Sequence, residues 1–161
     1  MNKLHLILRK SCAIAVIATL VLAFQSCEKD KIIEHGMDAE QLAAGRIAGT
    51  WGSPSNIVTP ENVPAAVFGE IRLLFTTNSE GRPDKFIARG CPIVFSDAAS
   101  DWSISLTEDN VKVNLTDVVP VDEFKALANS SSLIISFYMG WENTETGETG
   151  KGEFKATLKR L

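Results

Sequence analysis

The strongest constraint on the fold is a two-residue hydrophobic period that recurs along the chain from residue 67 onward. From Val67 to Thr76, Val67, Gly69, Ile71, Leu73 and Phe75 alternate with Phe68, Glu70, Arg72, Leu74 and Thr76. Trp102, Ile104 and Leu106 then alternate with Ser103, Ser105 and Thr107. After Glu108-Asp109-Asn110 the same rhythm resumes as Val111, Val113 and Leu115 against Lys112, Asn114 and Thr116. A longer run places Leu133, Ile135, Phe137, Met139 and Trp141 on one face, and a last one places Phe154, Ala156 and Leu158 there. Side chains alternate across a strand, so this period specifies strands with one face turned to a core.

Shorter segments complete an all-β reading. Lys85 to Arg89 and Pro92 to Phe95 read as short strands, and Arg46 to Gly52 as the beginning of the first. Asp38-Ala39-Glu40-Gln41 has capping-box spacing and predicts one or two helical turns ending at Gly45. Ser53 to Pro64, with three prolines and no period, reads as a loop. Asp122 to Ala128 reads as two further helical turns. The expectation is about eight antiparallel strands in meander order, closed as an up-and-down barrel, with a β-sandwich as the alternative.

The amino terminus sets a different constraint. Lys3, Arg9 and Lys10 precede an apolar block of 13 residues, Cys12 to Phe24, and Ser26-Cys27 follows. That block has the length of a signal-peptide apolar region and is short for a membrane-spanning helix, which needs about 20 residues. Phe24 lies three residues before a cut at Cys27, which suits ordinary signal peptidase poorly, whereas a lipid-modifying route requires the thiol. Three parts are expected: a lipoprotein signal at 1–26, a flexible tether at 27–37 and one β domain at 38–161. Cys27 is the lipid site that anchors the chain to a membrane.

Composition narrows the function. Without residues 1–26, the chain has 13 basic and 20 acidic residues, a net charge near −7. This disfavours nucleic acid as a partner. With Cys12 in the apolar block and Cys27 the lipid site, Cys91 has no partner for a disulfide. His35, the only histidine after the signal, lies in the tether, so the domain lacks the base of a Ser-His or Cys-His pair and has no histidine for a metal. No phosphate-cradling glycine run or calcium loop is present. No enzyme, metal or cofactor is expected. Trp102, Tyr138 and Trp141 are candidate ligand-binding aromatics, with core packing the alternative fate for each.

Two resemblances add to these readings. Ser26-Cys27-Glu28-Lys29-Asp30 is similar to the lipidation boxes of Bacteroidota lipoproteins, in which an acidic and lysine-rich tract after the cysteine accompanies export to the cell surface. Gly49-Thr50-Trp51 after a short helical turn resembles the Gly-x-Trp signature of lipocalins and related calycins. In that superfamily a basic residue at the end of the last strand packs over the tryptophan, and Arg160 stands there. The resemblance implies a lipocalin-like domain whose Trp51 and Arg160 close one end of the barrel. It also implies an outer-membrane lipoprotein, expected at the cell surface, binding a small apolar or amphipathic ligand in its interior. The alternative is an accessory or adhesion protein with a filled core, acting through its outer surface on a protein or glycan.

Overall fold

The structure, a computed structural model, describes residues 36–97, 99–107 and 110–161. The expected signal, Cys27, and the tether up to residue 35 lie outside the described residues. Helix α1 (Ala39–Ile47) leads into eight strands: β1 (Gly49–Val58), β2 (Arg72–Thr77), β3 (Pro83–Arg89), β4 (Ala99–Leu106), β5 (Val111–Leu115), β6 (Glu123–Ala128), β7 (Ser132–Glu142) and β8 (Thr149–Arg160). Each strand pairs with the next in antiparallel fashion, and β8 returns to β1. The result is a closed up-and-down barrel of lipocalin-like architecture, as the hydrophobic period predicts.

The two poles of this barrel differ. At one, α1 and the β2–β3, β4–β5 and β6–β7 turns gather. At the other lie the four longer connections, 59–71, 90–98, 116–122 and 143–148. The first is the closed pole, and the chain enters there. The capping box forms as its spacing predicts: the Gln41 N–H donates to Asp38 Oδ1 at 2.9 Å and the Asp38 N–H donates to Gln41 Oε1 at 2.7 Å. Arg82 on the β2–β3 turn ties the cap down through Asp38 and Glu40, each at 2.7 Å. The helix runs past Gly45 to Ile47, because Ile47 is buried against the barrel end and the Ala48 N–H still reaches the Ala44 carbonyl.

Eight strands form, but two segments exchange roles relative to the sequence reading. Pro92 to Phe95 is a turn in which the Val94 and Phe95 N–H groups both donate to the Cys91 carbonyl, leaving Phe95 only an isolated bridge to Pro120. Its apolar run is used as a plug, with Val94 and Phe95 driven into the core. Asp122 to Ala128, expected to be helical, instead supplies β6. Phe124 and Ala126 point inward while Glu123, Lys125 and Leu127 point out, so pairing to β5 and β7 overrides the helix propensity of Lys-Ala-Leu-Ala. β1 also extends beyond its expected end through the proline-containing stretch to Val58. Register shifts there, with Ser53 and Asn56 in left-handed backbone conformations, let one bent strand serve two neighbours.

The inward faces fill the barrel with rings. Phe68, Phe75, Phe86, Phe95, Phe124, Phe137 and Phe154 are all buried, and with Trp102 they form a connected set. Phe95 sits within it, with centroids 5.6 Å from Phe86, 5.8 Å from Phe124 and 6.1 Å from Phe137. Edge-to-face pairs of this kind contribute roughly 0.5–1.5 kcal/mol each beyond the area they bury. Phe95 thus joins strands from opposite sides of the barrel. Replacing it with Ala should cost about 3–5 kcal/mol of unfolding free energy. Phe95→Leu, which keeps most of the volume, should cost visibly less in the same denaturant titration.

Candidate binding site

The closed pole is held by a compact set of contacts around Trp51. The strand register places Arg160 opposite Trp51, and the Arg160 guanidinium carbon lies 4.1 Å from the indole centroid. The same guanidinium donates to the carbonyls of Arg46 at 3.0 Å, Ala48 at 2.8 Å and Ser130 at 3.1 Å. It therefore serves the carboxyl end of α1, where carbonyls lack helical partners and the helix dipole favours a cation. Trp51 Nε1 donates to the Ile47 carbonyl at 2.7 Å. Gly49 makes this possible: its φ of +130° suits glycine, and a Cβ there would collide with the guanidinium. Loss of Arg160 removes the cation–π contact and leaves three carbonyls to find water. Arg160→Ala should thus lower stability by about 1–3 kcal/mol. Arg160→Lys should recover only part of this in thermal melts, since an ammonium cannot fork to three acceptors while lying flat on an indole.

The three candidate aromatics fall in three places. Trp102 is only 4 % exposed, with its Nε1 donating to the Thr76 carbonyl at 2.8 Å and its ring 5.0 Å from Phe75. It is part of the core. Tyr138, 71 % exposed, stands on the outer face beside a groove of about 450 Å³ bordered by Lys112, Glu123, Lys125 and Glu153. Trp141 lies at the pole opposite α1. It lines a second pocket, of about 580 Å³, among the long connections.

That second pocket is the barrel mouth. Phe154 and Met139 contribute from the strands, Val63 and Val67 from the 59–71 connection, Ile93 from 90–98, Pro120 from 116–122 and Asn143 to Glu145 from 143–148. Trp141 closes the side toward β8. Its indole lies across Gly150, where an added Cβ would come within about 2.7 Å of the ring, and its buried Nε1 has no hydrogen-bond partner among the described residues. Two interactions hold the rim. Asn62 donates to Glu148 Oε1 at 3.0 Å, joining the 59–71 connection to the β7–β8 hairpin. Asn143 Oδ1 accepts the Glu145 N–H at 3.0 Å and the Thr146 N–H at 3.2 Å, fixing the tip between them.

The ligand site expected within the barrel interior is taken up by the phenylalanine cluster; the space lies at the mouth instead. Sequence periodicity identifies Met139, Trp141 and Phe154 as inward-facing; it also puts Val67 at the start of a strand, but residues 65–68 form a short 3-10 turn and β2 begins only at Arg72, so Val67 reaches the mouth from an irregular connection, as does Val63, of which the period says nothing. Ile93, which the sequence puts on a short strand, stands on a turn and emerges 60 % exposed at the rim.

The cysteine among the described residues is not poised as a nucleophile. Cys91 is buried, and its thiol is pushed up to about 12, by burial and then by the charge of Asp97, so it is neutral at physiological pH. A neutral buried thiol is a poor nucleophile. Among the described residues no group of three or more His, Cys, Asp or Glu side chains is placed to hold a metal ion. No family model, curated protein or solved structure matches the chain. The closed barrel with its apolar mouth is consistent with a non-enzymatic binding domain.

Proposed function

We propose that this chain is a lipoprotein of the outer membrane, displayed at the cell surface through lipid on Cys27, whose barrel mouth binds one small apolar or amphipathic molecule without catalysis. The observation that carries the binding reading is the mouth pocket itself, with an apolar floor of Met139, Phe154, Val63 and Val67 and the Trp141 indole as a wall. Ligand sites are typically concave, mostly apolar and about 300–1,000 Å³. A volume near 580 Å³ is within that range. An uncharged solvatochromic dye such as Nile red should bind saturably, with a blue-shifted emission. Ile93→Lys, a change at an exposed rim residue that leaves the core intact, should weaken the binding several-fold. Failure of the dye to saturate would refute the mouth as a binding site.

Anchoring rests on the residues around Cys27. Cys27→Ala should release the domain from the membrane fraction with its thermal melt unchanged. Retention in that fraction would refute lipid attachment at this cysteine.

The second reading, action on a protein or glycan through the outer surface, draws support from the filled interior and from the groove beside exposed Tyr138. Nile red binding at the mouth, sensitive to Ile93, separates the two.

A further inference from the structure

The charges around the mouth point to the kind of molecule that would enter it. Two carboxylates, Glu142 and Glu145, are among the residues lining the pocket, and neither a lysine nor an arginine is. Both are exposed, and neither is in an ion pair among the described residues. Between them stands Asn143, whose side-chain oxygen holds the backbone of the hairpin tip at Glu145 and Thr146. Trp141 lines the same pocket, and an indole is the best aromatic surface for a cation.

An aromatic ring and two carboxylates on one pocket suit a positively charged head group, and its apolar side chains suit an alkyl or ring portion. A carboxylate head, as on a fatty acid, would meet two like charges and no partner. The net charge near −7 of the chain after residue 26 acts in the same direction by drawing cations toward the domain. Resting on the mouth as the binding site, we infer that its ligand is a cationic amphiphile, an amine or quaternary ammonium joined to an apolar body. Glu142, Glu145 and Trp141 receive the head, and Met139, Val63 and Val67 the body.

Three surfactants sharing a decyl chain test this, each used below its micelle concentration with circular dichroism confirming an intact fold: decyltrimethylammonium, decyl maltoside and decyl sulfate. Binding is followed by calorimetry and tryptophan fluorescence. The ammonium should bind about threefold to tenfold tighter than the maltoside at low salt, with the sulfate weakest. Its advantage should shrink as ionic strength rises to about 0.15 M, because both carboxylates are exposed. The Glu142→Gln/Glu145→Gln pair should abolish most of the advantage of the ammonium over the maltoside. Glu80→Gln/Glu153→Gln, which removes two carboxylates away from the mouth, should not. Equal or tighter binding of maltoside or sulfate would overturn the cationic preference and leave the mouth site standing. An equal loss in the Glu80/Glu153 pair would overturn it too, by assigning the preference to overall charge. Absence of saturable binding by all three would refute the mouth site and the inference together.

Discussion

The structure depends on the joining of its first and last strands. Seven antiparallel pairings arise between neighbours in sequence, and only β1 with β8 brings together segments about a hundred residues apart. That seam carries the largest loop-closure cost and converts an open sheet, with two exposed edges, into a barrel with none. Trp51 and Arg160 meet across it, and the guanidinium extends their contact to the carboxyl end of α1 and to the β6–β7 turn. One side chain thus fixes the seam, the helix and a neighbouring turn.

Closure with eight strands leaves an interior about wide enough for side chains. In this chain large rings take the space, since seven of the eight phenylalanines belong to the core. The ligand-holding interior expected from the lipocalin resemblance is therefore absent as such. At the barrel's open pole, space remains where the ring cluster ends, at Met139, Trp141 and Phe154, and where the irregular connections contribute Val63, Val67, Ile93 and Pro120. Filling the barrel moves the open space from its centre to its rim.

Much of the fold was legible because regular structure imposes a period. The β4–β5 hairpin, the long β7 and its partner β8 all follow alternation, and the capping box announces α1 two residues before its first turn closes. The errors have a common cause. In Pro92 to Phe95 an apolar run too short to show a period was assigned to a strand, whereas burial of Val94 and Phe95 as a plug satisfies it equally. In β6 the alternation of Phe124 and Ala126 was present, but it was outweighed by local helix propensity, which cannot register the two waiting neighbours. The mouth was least legible: Trp141 has the inward parity of its strand, but Val63, Val67 and Ile93 join it only after the chain has folded, and no local rule links them.

The two poles of the barrel share none of the residues that matter to each. Trp51, Gly49, Arg160 and the cap of α1 lie at the pole that secures the fold, and Val63, Ile93, Trp141 and Glu145 lie at the other. Such separation divides the sequence into a part under tight mechanical constraint and a part whose loops are free to vary in length and charge. A barrel organised in this way can change what it recognises without renegotiating how it stays shut.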